Sequence, residues 1–586
     1  MKTNIKIFFA AAFAALSVGC TDLDVPVESQ YTSYPGTEAA LEAQLSGIYF
    51  TMRDCFGRRY MEAMALSSDE YTAVAYGGNW YDNGAYAHPS LHNYGYEDAS
   101  IDWMTVLTSG IVKANEVISS ETATDAAKAP ARAMRAYFTF IMMDCWGDVP
   151  VNDPTLSSEI DLEERQPRAY VAQWIESELK AVIPNLTTET LGDNYGKPNK
   201  YMAQALLAKL YINWPVYTAS AVENYDAATA TNEKLADCVS VCNEIINSGN
   251  FELGPVEYRF KFASNNIELA ESGQIKDFIY VMPYHTTDAT GMQYGRSHSY
   301  KDIKNLKPSY YGEALTNSGG GYVTMTPEFI KNFDLKGDQR NKLIIGLSEN
   351  LDDYRYSTGG DENQVYILDP ETLLPTSDVC LNKEGNPLKL TRNISLVEKD
   401  FTINVGDNLE GWRQGCRNTK WHVTRTDFAN GRNQSNDIPL LRYADVLLMK
   451  AEVENALGND SEAQKALNQV RDRVNLDPVT STGKTLRDAI RLERRLELAL
   501  EGNRLFDLRR WKDDNGKPAI CNIMGQNGTF VRYNTVESTD EWELSNQNEA
   551  SNKGISFDET RDLLFPIPNS EITMSNGSIK QNPGYN

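Results

Sequence analysis

Residues 443–467 read YADVLLMKAEVENALGNDSEAQKAL, and the reading of this stretch decides the fold. Small residues recur along it (Ala444, Ala451, Ala463 and Ala466), apolar ones share their faces, and Leu457-Gly458 interrupts it midway. Two helices joined by a glycine turn satisfy that pattern, because glycine enters a left-handed turn without strain. A lone hairpin of this kind cannot bury its apolar faces and needs stacked neighbours. The rest of the chain has to supply them.

The small-residue placement is that of a tetratricopeptide hairpin. Its two helices are expected over Ile438–Leu457 and Asp460–Val474, and a further one over Thr485–Trp511. Towards the N-terminus, Leu41, Leu45, Ile48 and Met52 recur at helical spacing, as do Trp103, Val106, Leu107, Ala114, Val117 and Ile118. Ala127–Trp146 continues the pattern and stops at Gly147-Asp148-Val149-Pro150. Further helices are expected from Tyr170 to Val182, from Met202 to Trp214, and from Leu235 to Ile246. Between about 250 and 435 the helical period fades into Gly-, Asn-, Ser- and Tyr-rich sequence with short β-like runs such as Phe278-Ile279-Tyr280-Val281. The expected architecture is mainly α: a tetratricopeptide-like superhelix of hairpins carrying a large loop-rich, partly β insertion.

The 586 residues carry 56 Lys plus Arg against 81 Asp plus Glu, a formal charge of −25. That balance excludes a nucleic-acid backbone as the main partner and disfavours adsorption to anionic lipid through a basic patch. With 41% hydrophobic residues the chain has material for a substantial core.

Lys2 and Lys6 precede an apolar run, Ile7–Leu16, too short to span a bilayer about 30 Å thick. Ser17-Val18-Gly19-Cys20 follows, then the acidic Thr21-Asp22-Leu23-Asp24. Residues 1–19 read as a signal peptide. The pattern resembles a bacterial lipoprotein signal followed by a surface-export signal, with Cys20 the lipidated mature N-terminus. Residues 20–40 are then an extended leader, 41–250 an N-terminal helical scaffold, 251–435 a ligand-binding insertion, and 436–586 a C-terminal helical scaffold and tail. Cys55, Cys145, Cys238, Cys242, Cys380, Cys416 and Cys521 are scattered and odd in number, which reads as thiols rather than a disulfide framework.

Motifs distributed along the chain resemble the SusD/RagB family of surface lipoproteins. They include Trp103 and Asn115 with Arg132-Ala133-Met134-Arg135-Ala136-Tyr137-Phe138 and Trp146-Gly147-Asp148-Val149-Pro150. Ala203–Tyr211, Leu441–Glu452 and the tail Phe565-Pro566-Ile567-Pro568 with Gln581-Asn582-Pro583-Gly584-Tyr585 also match, and Glu493–Trp511 is the strongest single motif. The resemblance implies a non-catalytic, lipid-anchored protein on the outer face of the outer membrane. It would capture oligosaccharides or polysaccharides and deliver them to a SusC-like TonB-dependent transporter. A smaller branch of the family handles peptides, so a peptide-capturing lid is the alternative.

Tyrosine is the compositional oddity: 31 Tyr against 19 Phe, with 9 Trp. Flat rings with a polar edge suit sugars, stacking on C–H faces while hydroxyls bond sugar oxygens. One cluster is Tyr71, Tyr76, Asn79, Trp80, Tyr81, Asn83 and Tyr86, broken by glycines; a second is Tyr300, Tyr310 and Tyr311, ahead of Gly319–Gly321. By position in the family these point to Trp80 with Tyr81, and Tyr310 with Tyr311, as stacking residues. Asp69 either bonds ligand hydroxyls or caps a helix. Arg392 and Trp412 are further ligand candidates.

A hydrolase reading rests on Glu497 and Glu501, four apart on one helical face, since a retaining glycosidase needs carboxylates about 5–5.5 Å apart. Against it, Arg494 and Arg504 stand three residues away as ion partners, which favours a packing network. Gly502 is expected to let another backbone approach. Cys238 with Cys242, and His88 with His92, have metal-like spacing without further ligands, so thiols and a loop are expected. Asp513-Asp514-Asn515-Gly516 has calcium-like oxygens but not the rest of an EF-hand, so it reads as a turn and no cofactor is assigned.

Overall fold

The computed structural model describes residues 37–73, 88–298, 322–345 and 431–524 with short gaps, isolated stretches between 366 and 427, residues 533–536 and 550–551, and 557–585. The chain divides into two units, Met1–Gln44 and Leu45–Asn586. The principal helices are α1 Glu38–Tyr49, α2 Tyr60–Leu66, α3 Met104–Ile118, α4 Asp125–Trp146, α5 Arg168–Val182, α6 Lys200–Ile212 and α7 Leu235–Asn247. After the insertion come α8 Tyr443–Ala456, α9 Asp460–Arg473, α10 Gly483–Glu497 and α11 Asn503–Arg510.

From α3 to α10 each helix packs on the next, and the order survives the insertion, because α7 packs directly on α8. The fold is therefore the mainly α, tetratricopeptide-like superhelix. Its caps follow local chemistry: the Thr124 hydroxyl accepts from the Ala127 amide and Asn199 Oδ1 from the Met202 amide, each satisfying a donor left free in a first turn. The family motifs explain themselves as packing. Arg135 donates to Asp153 with two bonds of 3.1 Å, to Glu178 at 2.9 Å and to Asn115 at 2.8 Å. Trp103 and Trp146 meet edge to face, and the tail closes over them through Phe565 and a bond from Trp146 Nε1 to the Pro566 carbonyl.

Three expectations need correction. Ile438–Arg442 is not the first turn of α8 but a strand. Pro439 lacks the amide a helix interior needs, and an extended partner, Phe278–Met282, lies beside it. Thr485–Trp511 is two helices, broken at Leu498–Gly502, where Leu500 and Gly502 both take left-handed backbone. The break is sustained by donors from the insertion: Lys420 Nζ bonds the carbonyls of Glu497 and Ala499, Trp421 Nε1 that of Leu500, and the Tyr258 hydroxyl that of Glu497. Gly502 admits side chains rather than backbone, a Cβ there lying 3.3 Å from Tyr60 Cε1. The helix expected from Met202 to Trp214 ends at Ile212, ahead of Pro215, and a new short helix, Trp214–Thr218, carries Pro215 in its first turn.

The strands are short: β1 Tyr71–Ala73, β2 Phe278–Met282, β3 Val323–Met325 and β4 Ile438–Arg442. β2 pairs antiparallel with β4, and β1 with β3. Ser395–Lys399, from the insertion, pairs in parallel with Tyr533–Val536 from the C-terminal segment.

Candidate functional site

β1 and β3 pair in the register Tyr71 to Met325, Thr72 to Thr324 and Ala73 to Val323. Ala73 is the last described residue before 74–87, the stretch that carries Trp80 and Tyr81. Tyr322 is the first after 299–321, which carries Tyr310 and Tyr311. The two aromatic stretches are thus anchored side by side. Ser90, just beyond the far end of the first, accepts the Ala73 amide through its hydroxyl at 3.1 Å.

A third anchor joins them. The Met325 amide donates to the Cys416 carbonyl at 3.0 Å, and Arg417 Nη1 donates to the Thr324 hydroxyl. Gly415 sits so close that a Cβ on it would lie 2.0 Å from Thr324 Oγ1. Residues 411–414, with Trp412, end there. So the described stems of three stretches expected to touch ligand converge on one two-stranded ladder. Trp80, Tyr81, Tyr310, Tyr311, Trp412 and Arg392 themselves lie outside the described residues, as do Cys20 and Asp513–Asn515. Arg392 precedes Ser395–Lys399, whose pairing is with another sheet.

The ladder is bolted to the helical frame through Asp69, and here the expectation of a ligand contact or helix cap is corrected. Asp69 is buried. Its carboxylate takes Arg504 Nε at 2.6 Å, Arg504 Nη2 at 2.7 Å and Arg495 Nη2 at 3.0 Å. Its backbone carbonyl accepts the Thr326 hydroxyl at 2.8 Å, and the Thr326 amide donates to the Glu70 backbone carbonyl at 2.9 Å. Burial raises the proton affinity of the Asp69 carboxyl, but Arg495 and Arg504 outweigh it and hold the group well below the usual carboxylate range. Glu70 beside it goes the other way. Burial dominates, its nearest arginine nitrogens stand 3.8 and 4.0 Å off, and its carboxyl is pushed up to about 8. Tyr71 is likewise no surface ring; it is fully buried in β1, its hydroxyl accepting from Asn418 Nδ2 at 3.1 Å.

The carboxylates of the hydrolase reading are both consumed. Arg442 lies between them, donating from Nη1 to Glu497 at 3.0 Å and from Nε and Nη2 to Glu501 at 2.8 and 2.7 Å. Glu497 also takes Arg473 at 2.5 Å, and Lys420 pairs with Glu501. The expected short-range partners were wrong: Arg494 turns to Asp445 and Asp507, and Arg504 to Asp69. Burial raises the proton affinity of Glu497, yet Arg473, Arg442 and Arg340 hold its carboxyl well below the ordinary range, the reverse of what a general acid needs. Beside Glu501 a cavity of about 40 Å³, lined by Tyr60, Met64, Asp144 and Lys209 among others, has room for water and not for a sugar ring. Cys238 and Cys242 are buried thiols. His88 opens a short helix, His88–Leu91, and bonds Asp98 at 2.9 Å, so it is not in a loop.

A model of the SusD family matches residues 277–585. SusD-like protein P2 of Formosa agariphila is 25% identical over an alignment of 610 residues that covers 99% of both chains. Among solved structures, a laminarin binding SusD-like protein superposes with a TM-score of 0.61 at 19% identity, covering 94% of this chain and 100% of the other. Surface glycan-binding protein A from Bacteroides uniformis gives 0.60 at 17% identity, covering 93% and 99%.

Proposed function

The chain belongs to the SusD family, and from that premise we propose that it is a non-catalytic, cell-surface glycan-binding lipoprotein. It captures oligosaccharides or polysaccharides on aromatic side chains and passes them to a SusC-like TonB-dependent transporter of the outer membrane. The observation that carries the reading is the convergence at the β1–β3 ladder: the stretches with Trp80 and Tyr81, with Tyr310 and Tyr311, and with Trp412 are rooted together. Aromatic rings supplied by separate stretches would offer a sugar several apolar faces to stack on, with polar edges left for its hydroxyls. Two neighbours in fold are named for glycan or laminarin binding, which supports the same ligand class. Absence of cleavage is supported by the ion-paired state of Glu497 and Glu501. The anchor is proposed at Cys20, and no described helix is long and apolar enough to cross a membrane.

Affinity electrophoresis against a polysaccharide panel tests the ligand class. Native protein is expected to be retarded by at least one glycan, and Trp80→Ala with Tyr310→Ala to run freely. Retardation that survives loss of Trp80, Tyr81, Tyr310 and Tyr311 together removes those residues from the site. Labelled palmitate, incorporated by the native protein and not by Cys20→Ala, tests the anchor.

A further inference from the structure

Glu62 lies on α2, far in sequence from the insertion, yet its buried carboxylate holds both ends of one insertion stretch. Its Oε1 accepts the hydroxyl of Ser297 and, at 2.5 Å, that of Tyr322. Ser297 and Tyr322 stand on the two sides of residues 299–321, which carry Tyr310 and Tyr311. The two hydroxyls also meet each other, at 3.1 Å. Arg58 completes the cluster: Nε donates to Glu62 at 3.2 Å and Nη2 to the Tyr322 hydroxyl at 3.0 Å. Arg58 belongs to the π-helical turn Cys55–Arg59, one helical turn before Glu62.

We propose that Glu62 is a positioning residue that clasps the two stems of 299–321 and thereby sets where that stretch leaves the frame. The inference rests on the reading of Tyr310 and Tyr311 as ligand residues only for its effect on binding; the clasp itself stands on the geometry. Hydrogen bonds to an ionised carboxylate are about twice as strong as neutral ones, and here they sit out of water. They join residues separated by 25 positions, so losing them leaves a longer span of chain between fixed contacts, and closing a longer span costs more entropy. The same helix runs into Asp69, so α2 and its exit turn together hold the roots of both aromatic stretches.

Lys301 and Lys304, followed by Asp302 and Asn305, are the trypsin sites within 299–321 that make the clasp measurable, Lys307 being blocked by Pro308. Limited digestion of the folded full-length protein, with the cut sites read by mass spectrometry, is compared with that of Glu62→Ala and Tyr322→Phe. The second variant keeps the buried ring and removes the hydroxyl alone, so it reads the clasp even where the first fails to fold. Cleavage at Lys301 and Lys304 is expected to rise about tenfold in either folded variant. An unchanged rate in a variant with native far-ultraviolet dichroism overturns the proposal. Affinity electrophoresis of the same variants separates the two readings. Faster cleavage with weaker retardation supports both. Faster cleavage with native retardation leaves the clasp standing and removes 299–321 from the ligand site.

Discussion

Arg504 grips Asp69 with two parallel hydrogen bonds, Nε to Oδ1 at 2.6 Å and Nη2 to Oδ2 at 2.7 Å, across 435 residues of chain. The bond ties the last principal helix to the turn from which β1 departs. It makes Asp69 a bracket beneath the candidate site rather than a wall of it.

Asp69→Ala is therefore expected to act through stability. Removing one partner of a buried pair strands Arg504 and Arg495 and costs about 3–5 kcal/mol. Urea unfolding should show the loss, and glycan retardation should weaken with it. A variant with native stability and selectively lost binding would instead mean that Asp69 touches ligand.

Glu70 predicts a pH response of opposite sign to that of its neighbour. Its folded-state carboxyl, raised to about 8 from an ordinary 4.5, contributes stability below pH 4.5 that is lost as pH rises through 8. Asp69, held low, contributes stability above its ordinary value of 3.8 that is lost as pH falls below it. Glu70→Gln removes the first effect alone. Relative to the native protein it should gain on the order of 4 kcal/mol between pH 5 and pH 9, measured by urea midpoints. Parallel pH curves for the two proteins would contradict burial as the dominant influence on Glu70.

Glu497→Gln is expected to lower stability by about 3–5 kcal/mol, because Arg442, Arg473 and Arg340 lose a shared counter-charge in a dry site. Incubation of the native protein with any glycan it binds should release no reducing ends. Release that disappears in Glu497→Gln or Glu501→Gln would restore the hydrolase reading.

Gly415→Ala addresses the third stem. The residue has φ of +75° and its Cβ would fall 2.0 Å from Thr324 Oγ1, so strain and clash act together. A loss of about 2–3 kcal/mol is expected in thermal unfolding, with weaker glycan retardation. Retardation equal to the native protein's would detach Trp412 from the ligand site.

Much of the helical frame could be read without coordinates, since helical period and glycine turns are local signals. The paired helices around 443–473 followed from the spacing of Ala444, Ala451, Ala463 and Gly458. The aromatic excess was legible too, as composition. Three-residue strands such as Tyr71–Ala73 and Val323–Met325 carry no comparable signal, so their pairing, and with it the common root of the ligand stretches, was not.

What the linear order determined was which residues are apolar, which are charged and which stretches carry the helical period. Which charge meets which was decided only by folding. Arg494 stands three residues from Glu497 and still pairs with Asp445, while Glu497 is met by Arg442 from β4. The same holds for the break after Glu497, whose freed carbonyls are satisfied by Lys420 and Trp421. Hydrophobic period is set by neighbours along the chain, whereas a buried ion or carbonyl takes whichever partner the packed interior brings within 3 Å or so.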